Sequence, residues 1–128
     1  MIKLIIDAAN EKIFFMIIDS EHNYSISYEN SKINYEKLSL LIDEFLHSKN
    51  LDLSKISKIY VNRGPGSFAG IRNSLAVVKA LHFVKKIDYF CFSFEDFIDE
   101  SDVNYENIPN LCKKFDIKKN LINPIYLS

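Results

Sequence analysis

The sequence predicts an α/β fold in which an antiparallel meander runs into parallel crossover units. Three observations carry that expectation. The first thirty residues hold three strand-like runs separated only by short turns. Two later segments place apolar residues at three- and four-residue spacing, each followed by a compact apolar run. All three glycines fall within residues 64–70, between one such run and the second helical segment.

The elements follow in order. Residues 2–7 form an Ile/Leu run ending at Asp7, read as a buried strand, with Ala8, Ala9 and Asn10 as the turn. Residues 12–19 are β-branched and aromatic and complete a hairpin. In 22–29, Tyr24, Ile26 and Tyr28 alternate with Asn23, Ser25 and Ser27, giving a third strand with one wetter face. Leu38, Leu41, Ile42, Phe45 and Leu46 then mark an amphipathic helix over 34–48, with Asn34 or Ser31 as N-cap. A fourth strand is read at 58–62 and a second helix at 70–86. That helix is apolar over most of its circumference, so the sheet covers one side and another helix or a partner chain the other. Residues 88–92 form a fifth strand, and Ser93 with Asp96 marks a capping box for a short helix to about 99. From 100 onward the chain reads as irregular, with a final short strand over 121–127. The resulting order, β-β-β-α-β-α-β-α, is that of one lobe of the actin-like and Hsp70-like ATPases, a ribonuclease-H-like fold.

A chain of 128 residues with 48% hydrophobic content can bury a core of its own. The net charge of −1 gives no reason to expect nonspecific binding to nucleic acid or membrane. Cys91 and Cys112 sit in no metal spacing and no disulfide is expected; Cys91, in an apolar run, reads as a buried thiol. The N-terminal run, interrupted by Asp7, is too short for a signal peptide, and no run is long enough to span a membrane. The expected location is the cytoplasm.

Both arginines, Arg63 and Arg72, flank the glycine loop. The loop lacks the Lys-Ser/Thr of a Walker A motif after Gly70. Its last glycine interval is one residue too long for a dinucleotide fingerprint, and Pro65 and Ala69 exclude a nucleophile elbow at Ser67. Two readings remain for the loop. The glycines allow tight packing of helix on sheet, or the backbone N–H groups of the helix start, with Arg63 and Arg72, hold an anion. Asp7 likewise reads either as a cap on its turn or as a metal-binding acid of a small ATPase. No zinc spacing or activated serine supports proteolysis.

The run Gly64-Pro65-Gly66-Ser67-Phe68-Ala69-Gly70-Ile71-Arg72 resembles the signature of the TsaB (YeaZ) family over nine consecutive positions, with Ala69 in place of the usual threonine. Ile5-Ile6-Asp7 resembles that family's opening strand, and Pro124-Ile125-Tyr126-Leu127 its closing Pro-x-Tyr-Leu. Asn34 departs from the family's histidine, Ala8 from its threonine or serine, and Ser128 from its closing arginine. The resemblance covers 1–99 as an N-terminal lobe and leaves 100–128 as a short remnant of the second lobe.

That resemblance implies a noncatalytic scaffold for a TsaD-like subunit, which threonylcarbamoylates the adenosine beside the anticodon of ANN-decoding tRNAs. It also implies a TsaE-like ATPase partner, a homodimer in isolation, and tRNA contacted only through the partner. It requires no cofactor or metal, allows ATP or ADP at the partner interface, and makes Asp7 a vestige of a nucleotide or metal site. The signature loop would comprise Arg63, Gly64, Gly66, Ser67, Phe68, Gly70 and Arg72. The partner interface would lie on the two long helices, through Leu38, Leu41, Ile42, Phe45, Leu75 and Val78. The alternative is a small phosphate- or nucleotide-binding protein, or a degenerate ATPase of the actin-like superfamily.

Overall fold

The computed structural model describes residues 1–126. Its five strands are β1 (Ile2–Asp7), β2 (Lys12–Ile18), β3 (Asn23–Glu29), β4 (Ile56–Asn62) and β5 (Asp88–Phe92). They form one sheet in the order β3-β2-β1-β4-β5. The three N-terminal strands pair antiparallel, as a meander of short turns requires, while β4 and β5 join β1 in parallel through helical crossovers. Four helices complete the chain: α1 (Lys32–Glu36), α2 (Leu38–Ser48), α3 (Phe68–Lys85) and α4 (Ile108–Lys114).

Both faces of the sheet are covered, which is why β1 and β4 read as near-continuous apolar runs. Leu4, Ile6, Phe15, Ile59, Val61 and Cys91 face α1 to α3 and form the larger core with Leu38, Ile42, Phe45, Ile71 and Val78. On the opposite face, Ile5, Met16, Tyr60 and Phe92 pack against Phe97, Ile108, Leu111 and Cys112. The segment after residue 93 therefore does what a helical layer does elsewhere: it seals the second face.

Several expectations are corrected here. The helix expected over 34–48 is two, because Lys37 leaves the helical region at φ −113°, ψ 29°. Ser31, rather than Asn34, is the N-cap, its hydroxyl accepting from the Asn34 N–H at 3.2 Å. The short helix after Ser93 is a 3₁₀ turn, Phe94–Phe97, with the capping box formed. The region expected to be irregular contains α4, entered through Pro109, with Ile108, Leu111 and Cys112 turned into the second core. The final strand does not form over 121–126, and Leu127 lies outside the described residues. The tail instead touches the exposed edge of β5: Lys119 bridges Phe90, and the Asn120 N–H donates to the Tyr89 carbonyl at 2.7 Å. That contact shields part of a strand edge that would otherwise be open to pairing.

The six residues expected at a partner interface all point inward. Leu38, Leu41, Ile42, Phe45, Leu75 and Val78 are at most 4% exposed and belong to the chain's own core. Large apolar side chains are exposed at other helix positions, Ile33 of α1, Leu40 of α2 and Phe68 at the start of α3, and two adjacent ones, Phe83 (78% exposed) and Val84 (67%), lie near the end of α3 with exposed Ala76 and Ala80. The sheet and α2 thus cover one side of α3 and leave its outer side open.

Both cysteines are free, as expected, and both are buried, Cys91 as expected and Cys112 in the second core. Burial pushes the Cys91 and Cys112 thiols up from 9.0 to about 12, and Tyr60 up from 10.0 to about 12. The folded chain therefore keeps these protons in a range where the unfolded chain loses them. Their contribution to stability is complete below about pH 9 and declines as pH rises toward 12. Urea midpoints are expected to fall as pH rises from about 9 toward 12, less steeply in Cys91→Ala/Cys112→Ala. A second prediction concerns α4. Ile108→Ala should cost about 2–4 kcal/mol in urea unfolding, because a fully buried aliphatic side chain of the second core is truncated; a cost near zero would mean that α4 is not docked on the sheet.

Candidate functional site at the glycine loop

β4 ends in Asn62, and the chain there has to turn back to start α3. Asn62 Oδ1 accepts from the Gly64 N–H at 2.8 Å, while its Nδ2 donates to Asp7 Oδ2 at 3.1 Å. Gly64 takes φ +107°, which side chains rarely tolerate, and the Gly64–Pro65 peptide is cis. The loop then presses against the turn after β1. The Ser67 N–H donates to the Ala9 carbonyl at 2.9 Å. A Cβ on Gly66 would lie 2.1 Å from the Ala9 carbonyl oxygen, and one on Gly70 only 1.8 Å from that of Ala8. A Cβ on Gly64 would meet the Ile125 carbonyl oxygen in the same way, at 2.1 Å, so all three glycines are demanded by backbone resting on backbone. Ser67 caps α3, its hydroxyl accepting from the Gly70 N–H at 3.2 Å, and Tyr35 of α1 lies within 3.1 Å of the same oxygen.

Asp7 is fully buried beside this loop, and all its hydrogen bonds are internal. Oδ1 accepts from the Ala9 N–H at 3.0 Å, which is the turn-capping role. Oδ2 accepts from Asn10 and Asn62, each at 3.1 Å, and from the Tyr105 hydroxyl at 2.6 Å. Burial and the adjacent carboxylate raise the Tyr105 phenol well above its ordinary value, so it remains a donor. The Tyr105 ring stacks on Phe14 with centroids 4.2 Å apart. In front of this arrangement is an open cleft of about 720 Å³ whose lining includes Asn10, Lys12, Phe14, Ser67 and Tyr105.

The two arginines do not converge on the loop. Arg63 turns toward the C-terminal segment, its two terminal nitrogens donating to Asp96 Oδ1 at 2.6 Å and the Asn123 carbonyl at 3.0 Å. Asp96 is fixed in turn by the Ser93 N–H at 2.8 Å. The Ile125 N–H closes onto the Arg63 carbonyl at 2.7 Å, tying the tail to the loop. Arg72 is exposed on α3 and lines a separate hollow with Lys32, Tyr35 and Glu36. Phe68 lies on the outer surface against Tyr126, with centroids 4.7 Å apart. An anion at this loop would therefore have the helix start without Arg63. Asn62 and Tyr105 are the residues that sequence reasoning missed, while Asp96 was read as a cap without its bond to Arg63. Asn62 is a polar residue closing an apolar strand directly before the loop, a signal that could have been read. Tyr105, 98 positions from Asp7, carries none.

Comparison with known proteins adds three findings. The family model described as TsaD: tRNA N6-adenosine threonylcarbamoyltransferase matches residues 29–93, about half of the chain. No curated protein sequence matches it. Among solved structures, YeaZ from Pseudomonas aeruginosa aligns with a TM-score of 0.66 at 23% identity, over 72% of this chain and 43% of that one. A structure described as an uncharacterized protein with similarity to peptidase YEAZ from Pseudomonas aeruginosa aligns equally well. RuvC from T. thermophilus, in complex with a Holliday junction substrate, aligns with a TM-score of 0.51 at 10% identity over 91% of this chain and 89% of that one. The chain spans less than half the length of the YeaZ structures it matches. These likenesses, with the observed strand order, make the fold ribonuclease-H-like.

The close approach at the loop has a direct test. Gly70→Ala should lower stability by about 1–3 kcal/mol or more, since its methyl group would have to displace the Ala8 carbonyl. Ala69→Ser, one residue earlier on the exposed side, should change urea unfolding by less than about 0.5 kcal/mol.

Proposed function

We propose that this chain, which belongs to the family described as TsaD: tRNA N6-adenosine threonylcarbamoyltransferase, acts in threonylcarbamoyl modification of tRNA as a noncatalytic scaffold for a TsaD-like catalytic subunit. The observation that carries this reading is the uncovered side of α3. Phe83 and Val84 are 78% and 67% exposed, and with Ala76, Ala80 and Lys79 they bound a shallow hollow of about 480 Å³. Large apolar side chains grouped on one helix face are costly to leave in water and suit a partner helix. This face replaces the one that the resemblance implied, since the residues named there are buried in the chain's own core.

The arrangement around Asp7 supports the scaffold reading over the ATPase alternative. A catalytic acid at this strand end would need a free oxygen, and the Asp7 carboxylate is enclosed by four donors of the chain itself. The net charge of −1 fits tRNA being carried by the partner. In this reading residues 1–99 supply the lobe that is presented. Residues 100–128 would be a short remnant of a second lobe, and the described part of that segment seals the sheet. In isolation the same α3 face would pair two copies of the chain.

The test is coexpression with the TsaD-like subunit of the same organism, followed by size-exclusion chromatography and mass measurement. The wild-type chain should comigrate with that subunit. Phe83→Glu and Val84→Glu should weaken the complex at least about tenfold while leaving the urea midpoint unchanged, because both side chains are exposed. Undiminished association of both variants would count against this face.

A further inference from the structure

We propose that a lysine-lined cavity under α4, at the end of the sheet opposite the glycine loop, binds a small phosphate-bearing anion. Lys3 of β1 and Lys58 of β4 are direct neighbours in the parallel register, on the face that carries Ile5 and Tyr60. Neighbouring strands lie about 4.8 Å apart, so two ammonium side chains rise from adjacent positions, an arrangement that costs stability. Both residues are half-buried, and neither forms an ion pair among the described residues. Lys113 of α4, which also forms none, lines the same cavity of about 430 Å³.

The nearby acids do not neutralise this group. Asp88, the next residue across the ladder from Lys58, is held by Asn120 at 2.9 Å and lies 3.7 Å from Lys119. Asp116 is the one carboxylate in the lining. Three ammonium groups against one carboxylate leave a surplus of about two positive charges, which matches a phosphate dianion or a diphosphate. Beside the lysines the strand wall of the cavity carries two aromatic rings. Tyr60 and Phe90 stack with centroids 5.1 Å apart and planes inclined by 13°, and Lys58 Nζ stands 5.9 Å from the Phe90 ring centre. A wall of that kind weakens solvent screening and strengthens the attraction for an anion. The cavity lies at the strand beginnings and the glycine loop at the strand ends, so this site is separate from the one described above.

A diphosphate group can come from free pyrophosphate or from a nucleotide, and calorimetric titration of the full-length chain at low salt with pyrophosphate and ADP as separate probes distinguishes them. The wild-type chain should bind at one site. Pyrophosphate binding at least as tightly as ADP would identify the free anion, and tighter ADP binding the nucleotide. Lys3→Met and Lys58→Met should each weaken binding at least about tenfold, whereas Lys37→Met, at the exposed α1–α2 junction, should leave it unchanged. Without anion, the two cavity variants should unfold at the same urea concentration as wild type or a higher one, because a repulsion has been removed. If either variant fails to fold, the wild type alone decides: pyrophosphate must raise its melting temperature above that in sodium chloride of equal ionic strength. No heat from either probe on the wild type, or undiminished binding by both cavity variants, would overturn the proposal.

Discussion

The rest of the structure depends on the contact between two stretches of bare backbone, the turn leaving β1 and the loop entering α3. Two carbonyls, those of Ala8 and Ala9, occupy space where any side chain on Gly70 or Gly66 would have to go. This contact sets the height of α3 above the sheet and therefore the depth at which Ile71, Leu75 and Val78 enter the core. It also brings the ends of β1 and β4 together, so that Asn62 can hold Asp7 on one side and Gly64 on the other. A glycine loop of this kind does not need a ligand to explain its composition. Close packing at a crossover is sufficient for Gly66 and Gly70, and positive φ together with the approach of the Ile125 carbonyl for Gly64.

The sheet then has two different neighbours. On one face the crossover helices do what parallel strands require of them. On the other, a short run of 3₁₀ turns and α4 does the same work with few residues, using aromatic side chains (Phe94, Phe97, Tyr105, Phe115) that cover much area per position. Arg63 joins the two halves of the molecule. Its guanidinium is committed to Asp96 and the tail, which removes from the loop a cation that its sequence neighbourhood would assign to it.

Much of this was legible in the residues. The strands announced themselves by alternation and by unbroken Ile/Leu runs, and the meander by the shortness of the turns between them. The stripe of α2 was correct as a stripe, since Leu38, Leu41, Ile42 and Phe45 are all buried. Periodicity reports that a face is covered but not by what, and these residues are covered by the chain itself. α4 was hidden by a composition rich in Asn, Asp and Lys, although Ile108, Leu111, Cys112 and Phe115 keep the spacing of a helix face. The Asp7–Tyr105 bond could not be read at all. It joins positions far apart in the chain, and no local pattern distinguishes that tyrosine from the six others.

That bond has a bearing on how the molecule comes into being. A ribosome delivers β1 first, and the aspartate at its end must wait for a phenol made almost a hundred residues later. Until that point the nascent sheet holds the Asp7 side chain without the shortest of its hydrogen bonds, and its aromatic underside has no cover. The newborn chain can therefore assemble its helical side while still attached, but the underside closes only after the sequence beyond Tyr105 has cleared the exit tunnel.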